Sequence, residues 1–259
     1  MKQILITGAN SYIGTSFENY LKQWPDAYRV DTVDMIDGSW REMSFAGYDC
    51  VFHVAGIAHQ KETAENAHLY YKVNRDLAVE TAQKAKAEGV GQFLFLSTMA
   101  VYGLEEGAIG LATSPAPKSH YGKAKWEAEQ ELDKLRSPEF AVAILRPPMV
   151  YGDGCKGNYQ SLIKFARVMP VFPNYRNKRS VIHIHTLCRY VKELADQRTD
   201  GLILPQDDQY ACTCQMVQKI AESNGKKLPL LGILNPLVTL AKTCTTMGKK
   251  AFGDLYYEK

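Results

Sequence analysis

The sequence has no strong excess of charge of either sign. It carries 31 lysine and arginine residues against 28 aspartate and glutamate residues, a formal net charge of +3. This even balance does not indicate a nucleic-acid or membrane-surface protein, although it is compatible with a small anionic ligand. Hydrophobic residues at 46% and charged residues at 23% exclude a disordered chain and a collagen-like repeat.

The chain is also poor in cysteine pairs. None of its 6 cysteines has CxxC spacing, and Cys50 and Cys188 stand in apolar segments. Reduced thiols are therefore expected, and a small disulfide-stapled scaffold is excluded. At the start of the chain a single lysine precedes a short apolar run that meets Gly8 at once, so no signal peptide is predicted and a cytoplasmic location is expected.

Long hydrophobic runs are missing as well. One long uncharged stretch, Leu228 to Ala241, is broken by Pro229, Gly232 and Pro236. It falls short of the roughly 20 residues that cross a bilayer, so no integral membrane segment is predicted. We expect a buried helix here, with contact to a membrane surface as the alternative.

Short apolar runs bounded by glycine alternate with longer helical patterns, which predicts βαβ units and an α/β fold built on a doubly wound parallel sheet. Residues 1–150 are predicted to form a dinucleotide-binding domain to which 181–204 return, and residues 151–180 and 205–259 a small C-terminal substrate lobe. The predicted strands are Lys2–Thr7, Tyr28–Asp34, Val51–Val54, Phe93–Ser97, Ala141–Leu145, Val181–Ile184 and Gly201–Leu204. The predicted helices are Ser11–Trp24, Glu62–Glu88 with Gly89 as its cap, His120–Leu135, Thr213–Asn224 and Leu230–Met247.

A glycine-containing loop connects the first predicted strand to the first helix. In such a loop the backbone can approach a pyrophosphate, and the helix that follows offers free N–H groups and the positive end of its dipole. A serine occupies the position of the middle glycine in a GxxGxxG spacing, and its hydroxyl can itself donate to phosphate. The candidate residues are Gly8, Ser11, Tyr12, Ile13 and Gly14.

Asp34 ends the second predicted strand, 26 positions after Gly8. This is close to the separation at which an acidic side chain accepts hydrogen bonds from the adenosine ribose, which favours NAD. Asp31 and Asp37 compete for the same role. NADP stays open because Arg41 is near enough in sequence to bind a 2′-phosphate.

Tyr121 and Lys125 are one helical turn apart and lie on the same helix face. An ammonium group stabilises a phenolate, so Tyr121 could exchange a proton with a substrate hydroxyl. Taken alone, a Tyr and a Lys at this spacing are more often part of a solvated face. Here Ser97 and Thr98 add hydroxyls at the carboxyl end of a strand, where α/β sheets bind ligands.

With these residues in place the chain resembles the extended short-chain dehydrogenases/reductases, a Rossmann-like family, in the branch of nucleotide-sugar epimerases, dehydratases and reductases. Further segments match in order from Lys2 to about Leu204: Asp49–Gly56 (DCVFHVAG), Asn74 and Leu145–Gly152 (LRPPMVYG).

The resemblance implies roles for individual residues. Thr98, Tyr121 and Lys125 match the catalytic trio, and Lys125 would also hold the nicotinamide ribose. Ala55, Gly56 and Pro148 match positions that contact the cofactor.

For the substrate, the resemblance implies that Asn158 and Arg179 contact the diphosphate of a nucleotide sugar. A guanidinium group suits phosphate because it donates two parallel hydrogen bonds. The alternative for Arg179 is membership of a solvated basic run with Arg176 and Lys178. A homodimer is compatible with the resemblance, and nothing in the sequence resembles a nucleic-acid module.

Two apolar residues, Met99 and Ala100, stand where sugar dehydratases of the family have an acidic pair, so dehydration is not expected. The resemblance then implies 4-epimerisation of a sugar, in particular a UDP-sugar, with reduction of a 4-keto sugar in surface-polysaccharide synthesis as the alternative. A non-catalytic dinucleotide-binding regulator is a further alternative, although such proteins typically lack the Tyr or the Lys. No metal site is predicted, because no cysteine or carboxylate cluster accompanies the histidines His53, His59, His68, His183 and His185.

Overall fold

The computed structural model describes residues 1–58 and 60–259. Its central sheet of parallel strands, accompanied by helices, confirms the predicted α/β class. The chain divides into two compact units. Unit 1 comprises Met1–Gly103, Pro115–Pro148 and His183–Pro205, and unit 2 comprises Leu104–Ser114, Met149–Ile182 and Gln206–Lys259.

Strands and helices are interspersed along the chain. The strands are β1 (Lys2–Thr7), β2 (Tyr28–Val33), β3 (Cys50–His53), β4 (Gln92–Leu96), β5 (Gly107–Ile109), β6 (Ala141–Leu145), β7 (Met149–Tyr151), β8 (Phe172–Pro173), β9 (Val181–His183), β10 (Gly201–Ile203), β11 (Leu230–Leu231) and β12 (Leu255–Tyr257). The helices are α1 (Tyr12–Leu21), α2 (Ala67–Tyr71), α3 (Leu77–Ala87), α4 (His120–Asp133), α5 (Asn158–Val168), α6 (Ile184–Gln197), α7 (Thr213–Ser223), α8 (Asn235–Cys244) and α9 (Thr246–Phe252).

The sheet of unit 1 has six strands in the order β10-β6-β4-β3-β1-β2, and all of its neighbours pair in parallel. From β1 the chain moves outward to β2 and then returns to the other side of β1 as β3. The direction of strand order therefore reverses at β1. In open α/β sheets ligands bind at the carboxyl ends of the strands beside such a reversal.

Burial of both faces explains why the inner strands are so apolar. Every residue of β3 and of β6 is buried. Alanines and one leucine on α3 and α4 pack against this sheet, and their small side chains let the helix backbones approach it closely. The cluster includes Val51, Phe93, Phe95, Val142, Ile144, Ala78, Ala82, Ala85, Ala128 and Leu132.

Unit 2 has a core of its own, in which α5 packs on α7. Leu162 and Ala166 contribute from α5, Val217 and Ala221 from α7, and Phe172 from β8. Its strands form small pairs, β5 with β12 and β8 with β11.

Two predicted helices differ from the structure. The helix expected over Glu62–Glu88 begins only at Ala67 and contains a π-helical segment, Lys72–Asp76, although Gly89 does follow it in the left-handed conformation at φ 81°. The expected helix over Leu230–Met247 is wrong in its first part, because Leu230–Leu231 pairs with β8 before α8 starts. The prediction that this segment is buried is wrong as well, because Leu237 is 64% exposed.

Candidate active site

The loop between β1 and α1 is held close to the end of β3. Gly8 has φ 102°, and a Cβ at this position would lie 2.9 Å from the backbone of Ala55, so only glycine fits. The Ser11 side chain caps α1 by accepting a hydrogen bond from the Gly14 N–H at 3.2 Å. Its hydroxyl hydrogen is not used in that bond. The N–H groups of Tyr12 and Ile13 belong to the first helical turn, where no intrahelical acceptor exists.

Asp34 lies next to this loop. The carbonyl of Val33, its neighbour in sequence, accepts hydrogen bonds from the N–H groups of Gly8 and Ala9 at 2.9 and 3.0 Å. The Asp34 side chain is exposed and accepts from the Ile36 N–H.

The two competing carboxylates are engaged elsewhere. Asp31 accepts a hydrogen bond from the Tyr48 hydroxyl at 2.9 Å, and Asp37 accepts from the N–H and the hydroxyl of Ser39. The hydrogen bonds from Ser39 also lower the pKa of the Asp37 carboxyl. This arrangement favours Asp34 as the acidic residue beside the glycine loop.

Arg41, the residue that left NADP open, is paired with Glu80 of α3. Its guanidinium donates to both carboxylate oxygens, at 2.5 and 2.6 Å, and lies 4.6 Å from the Trp40 ring centroid. No local sequence pattern indicates this pair, because 39 residues separate its two members.

The segment after β3 is clamped by Asn74. Its side-chain amide bonds both the N–H and the carbonyl of Ile57, at 3.2 and 3.0 Å. A Cβ at Gly56 would lie 2.7 Å from the Asn74 oxygen and 3.6 Å from the Lys125 amine. The clamp therefore holds Ala55 and Gly56, two predicted cofactor residues, close to Lys125.

Thr98 follows β4 and begins a short 3-10 turn, Met99–Tyr102, whose Ala100 N–H it caps at 3.1 Å. This turn packs against the start of α4, because a Cβ at Gly122 would come 2.9 Å from the Ala100 carbonyl. This packing places Thr98 beside the helix turn that carries Tyr121, and the Thr98 side chain lowers the pKa of Tyr121. Two members of the predicted trio are thus neighbours in the structure.

The first turn of α4 is also held by a residue that the sequence did not reveal. The two oxygens of Glu62 accept hydrogen bonds from the N–H groups of His120 and Tyr121, at 2.8 and 3.0 Å. A carboxylate at a helix N-terminus satisfies free N–H groups and interacts favourably with the helix dipole. Glu62 therefore positions the turn that carries Tyr121.

Burial shifts the pKa values of Tyr121 and Lys125 in opposite directions. It raises the pKa of Tyr121 to about 12, although a hydrogen bond from Thr98 opposes the change. It lowers the pKa of Lys125 to about 7, opposed by the charge of Glu129. The Lys125 side chain is 3% exposed, donates to the Leu96 carbonyl at 2.8 Å and lies 4.5 Å from the Phe95 ring centroid. In both residues the low-dielectric surroundings favour the neutral form.

A buried ion pair lies one turn beyond Lys125. Glu129 of α4 binds Arg146, which follows β6, with both side chains at most 5% exposed. Glu129 also accepts a hydrogen bond from Ser97, the residue before Thr98, and Arg146 donates to the Tyr102 hydroxyl at 2.8 Å. The pair ties α4 to the turn that carries Thr98. Arg146 belongs to the LRPPMVYG segment, but no local pattern indicates its pairing with Glu129, 17 residues away.

Pro148 is buried in unit 1, two positions after Arg146. The carbonyl of its neighbour Pro147 accepts a hydrogen bond from the Met99 N–H at 3.0 Å. The loop after β6 is thereby fastened to the turn that follows Thr98.

The two predicted substrate residues lie in unit 2. Asn158 is exposed and is the first residue of α5. Arg179 is half-buried, its backbone bridges to Ala211, and its guanidinium donates to the Gly253 carbonyl at 3.0 Å. Lys178 lies between two tyrosine rings, 3.6 Å from the ring centroid of Tyr256, and Arg176 is exposed.

The ring centroids of His183 and His185 lie 5.4 Å apart. Within residues 1–58 and 60–259 no group of three His, Cys, Asp or Glu residues could hold a metal ion, and His59 lies outside the described residues. His53 is fully buried, and its Nδ1 lies 2.8 Å from the Thr7 hydroxyl. Burial lowers the pKa of His53 to about 3, so this ring is neutral at physiological pH.

Comparison with known proteins matches most of the chain to one family. The NAD dependent epimerase/dehydratase family matches residues 4–201. The chain belongs to this family. The resemblance predicted from the sequence is thereby confirmed.

Two relatives carry epimerase names. The N-acetyl-alpha-D-glucosaminyl-diphospho-ditrans,octacis-undecaprenol 4-epimerase of Escherichia coli O157:H7 is 26% identical over 98% of this chain and 82% of its own length. The UDP-glucose 4-epimerase of Vibrio cholerae is 28% identical over 85% of this chain and 75% of its own. Both names denote enzymes, and this member of the family is an enzyme as well.

Solved structures of other proteins share the fold of this chain. The dTDP-4-dehydrorhamnose reductase of Bacillus anthracis, solved in complex with NADP, superposes with a TM-score of 0.72 at 20% identity, covering 89% of this chain and 84% of that one. Among the described residues, no helix combines the length and the hydrophobicity of a transmembrane span.

Proposed function

We propose that this member of the family is an NAD-dependent 4-epimerase of a sugar carried on a diphosphate, acting by transient hydride transfer at C4. The observation that carries the proposal is the close packing of the Thr98 turn against the start of α4, which places Thr98 beside Tyr121, one helical turn before the buried Lys125. The names of the two epimerase relatives support the same reaction.

The residues around the glycine loop fit a dinucleotide. The close approach at Gly8 leaves no room for a side chain, the first turn of α1 offers N–H groups to a pyrophosphate, and the exposed carboxylate of Asp34 suits ribose hydroxyls. Bound NAD supplies the hydride acceptor at the nicotinamide. Ala55, Gly56, Lys125 and Pro148 are the residues proposed to border its nicotinamide half.

The proposed proton transfer uses Tyr121 and Thr98. Tyr121 takes the proton of the sugar C4 hydroxyl and later returns it, while Thr98 donates a hydrogen bond to the same oxygen. A tyrosine with a pKa of about 12 is a poor base at neutral pH. When the site is filled we expect Lys125 to be protonated, so that its positive charge lowers the pKa of Tyr121.

A basic unit 2 supports the choice of a diphosphate substrate. Unit 2 holds thirteen lysine and arginine residues against eight aspartate and glutamate residues, whereas unit 1 has a small acidic excess. Arg179 and Asn158 are the proposed contacts with the diphosphate. We propose a nucleoside as the carrier beyond it; a polyprenol, as in the name of the E. coli relative, is the second candidate. The proposed location is the cytoplasm.

The mode of turnover tests the reaction. Purified enzyme is incubated with candidate UDP-sugars and with UDP-4-keto sugars while absorbance is read at 340 nm and products are separated. Interconversion of C4 epimers without net change in the cofactor supports the proposal. Stoichiometric loss of reduced nicotinamide with a 4-keto sugar would overturn it in favour of a reductase, the second candidate, whose fold the chain shares.

The cofactor preference tests the placement of Asp34. We expect tighter binding of NAD than of NADP, because the Asp34 carboxylate repels a 2′-phosphate and Glu80 already occupies Arg41. Calorimetric titration of both oxidised cofactors measures the preference, with Glu80→Gln as a second protein. Tighter binding of NADP by the unmodified protein would mean that Asp34 does not contact the ribose and that a basic residue does.

A further inference from the structure

The apolar segment near the end of the chain is exposed. Ile233 is 84% exposed, Leu237 64% and Leu240 60%, and the exposed Cys244 follows. Leu237, Leu240 and Cys244 are spaced at i, i+3 and i+7 on one side of α8, and Ile233 lies in the 3-10 turn Gly232–Leu234 that directly precedes it. Val238, at 4% exposure, faces the interior instead. We call Ile233, Leu237, Leu240 and Cys244 the α8 stripe.

A second exposed apolar segment lies at the end of α5, where Phe165 is 39% exposed, Val168 69% and Met169 37%. Contacts within unit 2 link this segment to the start of α8. Lys226 donates to the Met169 carbonyl at 2.6 Å, and β11, which directly precedes the stripe, pairs with β8. The two apolar segments are therefore joined through neighbouring elements of one unit.

The chain around these segments is basic. Residues 154–182 and 223–253 contain eleven lysine and arginine residues and no aspartate or glutamate. Lys242 and Lys250 lie 2.9 and 3.6 Å from the carboxylates of Glu106 and Glu105. Three further basic side chains, Lys164, Arg167 and Lys227, are exposed.

Exposed apolar side chains next to basic ones are typical of surfaces that lie in the headgroup region of an anionic bilayer. We propose that the α8 stripe and the end of α5 bind unit 2 to an anionic lipid surface, with the leucines entering the bilayer boundary and the basic side chains contacting lipid phosphates. Such binding would give the enzyme access to a sugar diphosphate on a lipid carrier, the second substrate candidate above. The binding itself does not depend on the proposed reaction.

Vesicle co-sedimentation of the full chain tests the proposal. We expect binding to vesicles of phosphatidylcholine and phosphatidylglycerol in equal parts at low salt, and little binding to phosphatidylcholine alone. Leu237→Gln should weaken partitioning about tenfold, because one leucine no longer leaves water. Lys164→Gln with Arg167→Gln should weaken it as well and reduce its dependence on salt. Leu111→Gln is the matched control, since Leu111 is an exposed leucine of unit 2 in a different segment, and it should bind as the parent does.

Two results would overturn the proposal. One is that the protein does not bind anionic vesicles at low salt, or that Leu237→Gln does not weaken this binding. The other is a soluble dimer, measured by sedimentation equilibrium without vesicles, that Leu237→Gln dissociates while vesicle binding is absent; the stripe would then be an interface between two copies. Turnover of a water-soluble UDP-sugar should be the same in all these variants. An inactive protein that still binds vesicles would contradict the proposed reaction alone.

Discussion

A tyrosine hydroxyl and a lysine amine, both in largely dry surroundings, carry the chemistry proposed for this chain. Burial raises the pKa of Tyr121 to about 12 and lowers the pKa of Lys125 to about 7, so the neutral form of each side chain is favoured. A filled site would have to reverse part of this, because proton transfer from a sugar hydroxyl needs a more acidic tyrosine. Two substitutions test this picture at single residues.

Replacing Tyr121 by Phe removes one hydroxyl and should leave folding and cofactor affinity nearly intact. Turnover should fall roughly 10²-fold or more, because general acid–base catalysis by a positioned side chain is worth that much. Rates are compared at saturating NAD, with Tyr190→Phe as the control in α6. Parental turnover by the Tyr121 variant would show that this hydroxyl does not carry the proton.

Lys125 should make the cofactor-free protein more stable as pH rises. Its pKa is about 7 in the folded protein and near its ordinary value of about 10.4 when unfolded, so the unfolded chain binds the extra proton between these values. The free energy of unfolding should therefore rise with pH across this window by up to about 1.4 kcal/mol per unit. Lys125→Met should lose that contribution, whereas Lys123→Met, at an exposed position of the same helix, should keep it.

Urea unfolding at pH 7.5, 8.5 and 9.5 without NAD measures the effect for the three proteins. Parallel pH dependences in the parent and Lys125→Met would mean that the lysine is not held neutral by its surroundings.

At the scale of elements, the start of α4 is the feature that most directly positions the site. Three independent contacts converge there: Ser119 caps the Gly122 N–H, Glu62 accepts from the first two N–H groups of the helix, and Gly122 lets the Thr98 turn approach. A helix end held from three sides fixes the direction of the Tyr121 side chain more firmly than the helix alone would.

Glu62→Gln tests the contribution of this contact. The amide keeps one acceptor oxygen but loses the charge and the second hydrogen bond, so we expect a loss of about 1 kcal/mol in stability, in the range of a helix cap. If Glu62 positions Tyr121, kcat should fall while the KM of the sugar changes little. Glu65→Gln, an exposed carboxylate in the same loop, is the control.

Loss of stability with an unchanged kcat would make Glu62 a structural cap only. Thermal unfolding and steady-state kinetics on the same preparations separate these outcomes.

At the scale of the molecule, the proposed cofactor residues belong to unit 1 and the proposed diphosphate residues to unit 2. The segment Leu104–Ser114 follows the Thr98 turn in sequence and yet belongs to unit 2, where β5 pairs with β12. The two ligands should therefore respond separately to substitutions in the two units.

Arg179→Ala should weaken binding of a UDP-sugar by about 1.5 to 3 kcal/mol, the range for a hydrogen bond to a charged group. NAD affinity should not change, because Arg179 belongs to unit 2. Calorimetry with each ligand separately measures both, and Arg176→Ala, its exposed neighbour, is the control. Equal loss of both affinities, or of neither, would count against placing Arg179 at the diphosphate.

The sequence by itself determined the fold class, the family and the local motifs. The apolar runs of β3, β4 and β6 could be read because strands buried on both faces leave no alternation to interpret. The glycine loop and the Tyr121–Lys125 spacing are local, since each lies within one turn or one helix. Such features depend on neighbours in sequence, and their geometry follows from backbone chemistry alone.

Only the tertiary structure decided the rest. Glu62 was assigned to a helix that actually starts at Ala67, and its contact with α4 joins residues 58 and 59 positions apart. The pairing of Arg41 with Glu80 is equally remote in sequence. The apolar pattern of α8 is the same whether its outer side is covered or exposed, so exposure of Leu237 and Leu240 followed from the packing around Val238. Local chemistry specifies elements, and long-range packing decides which side chains meet and which remain at the surface.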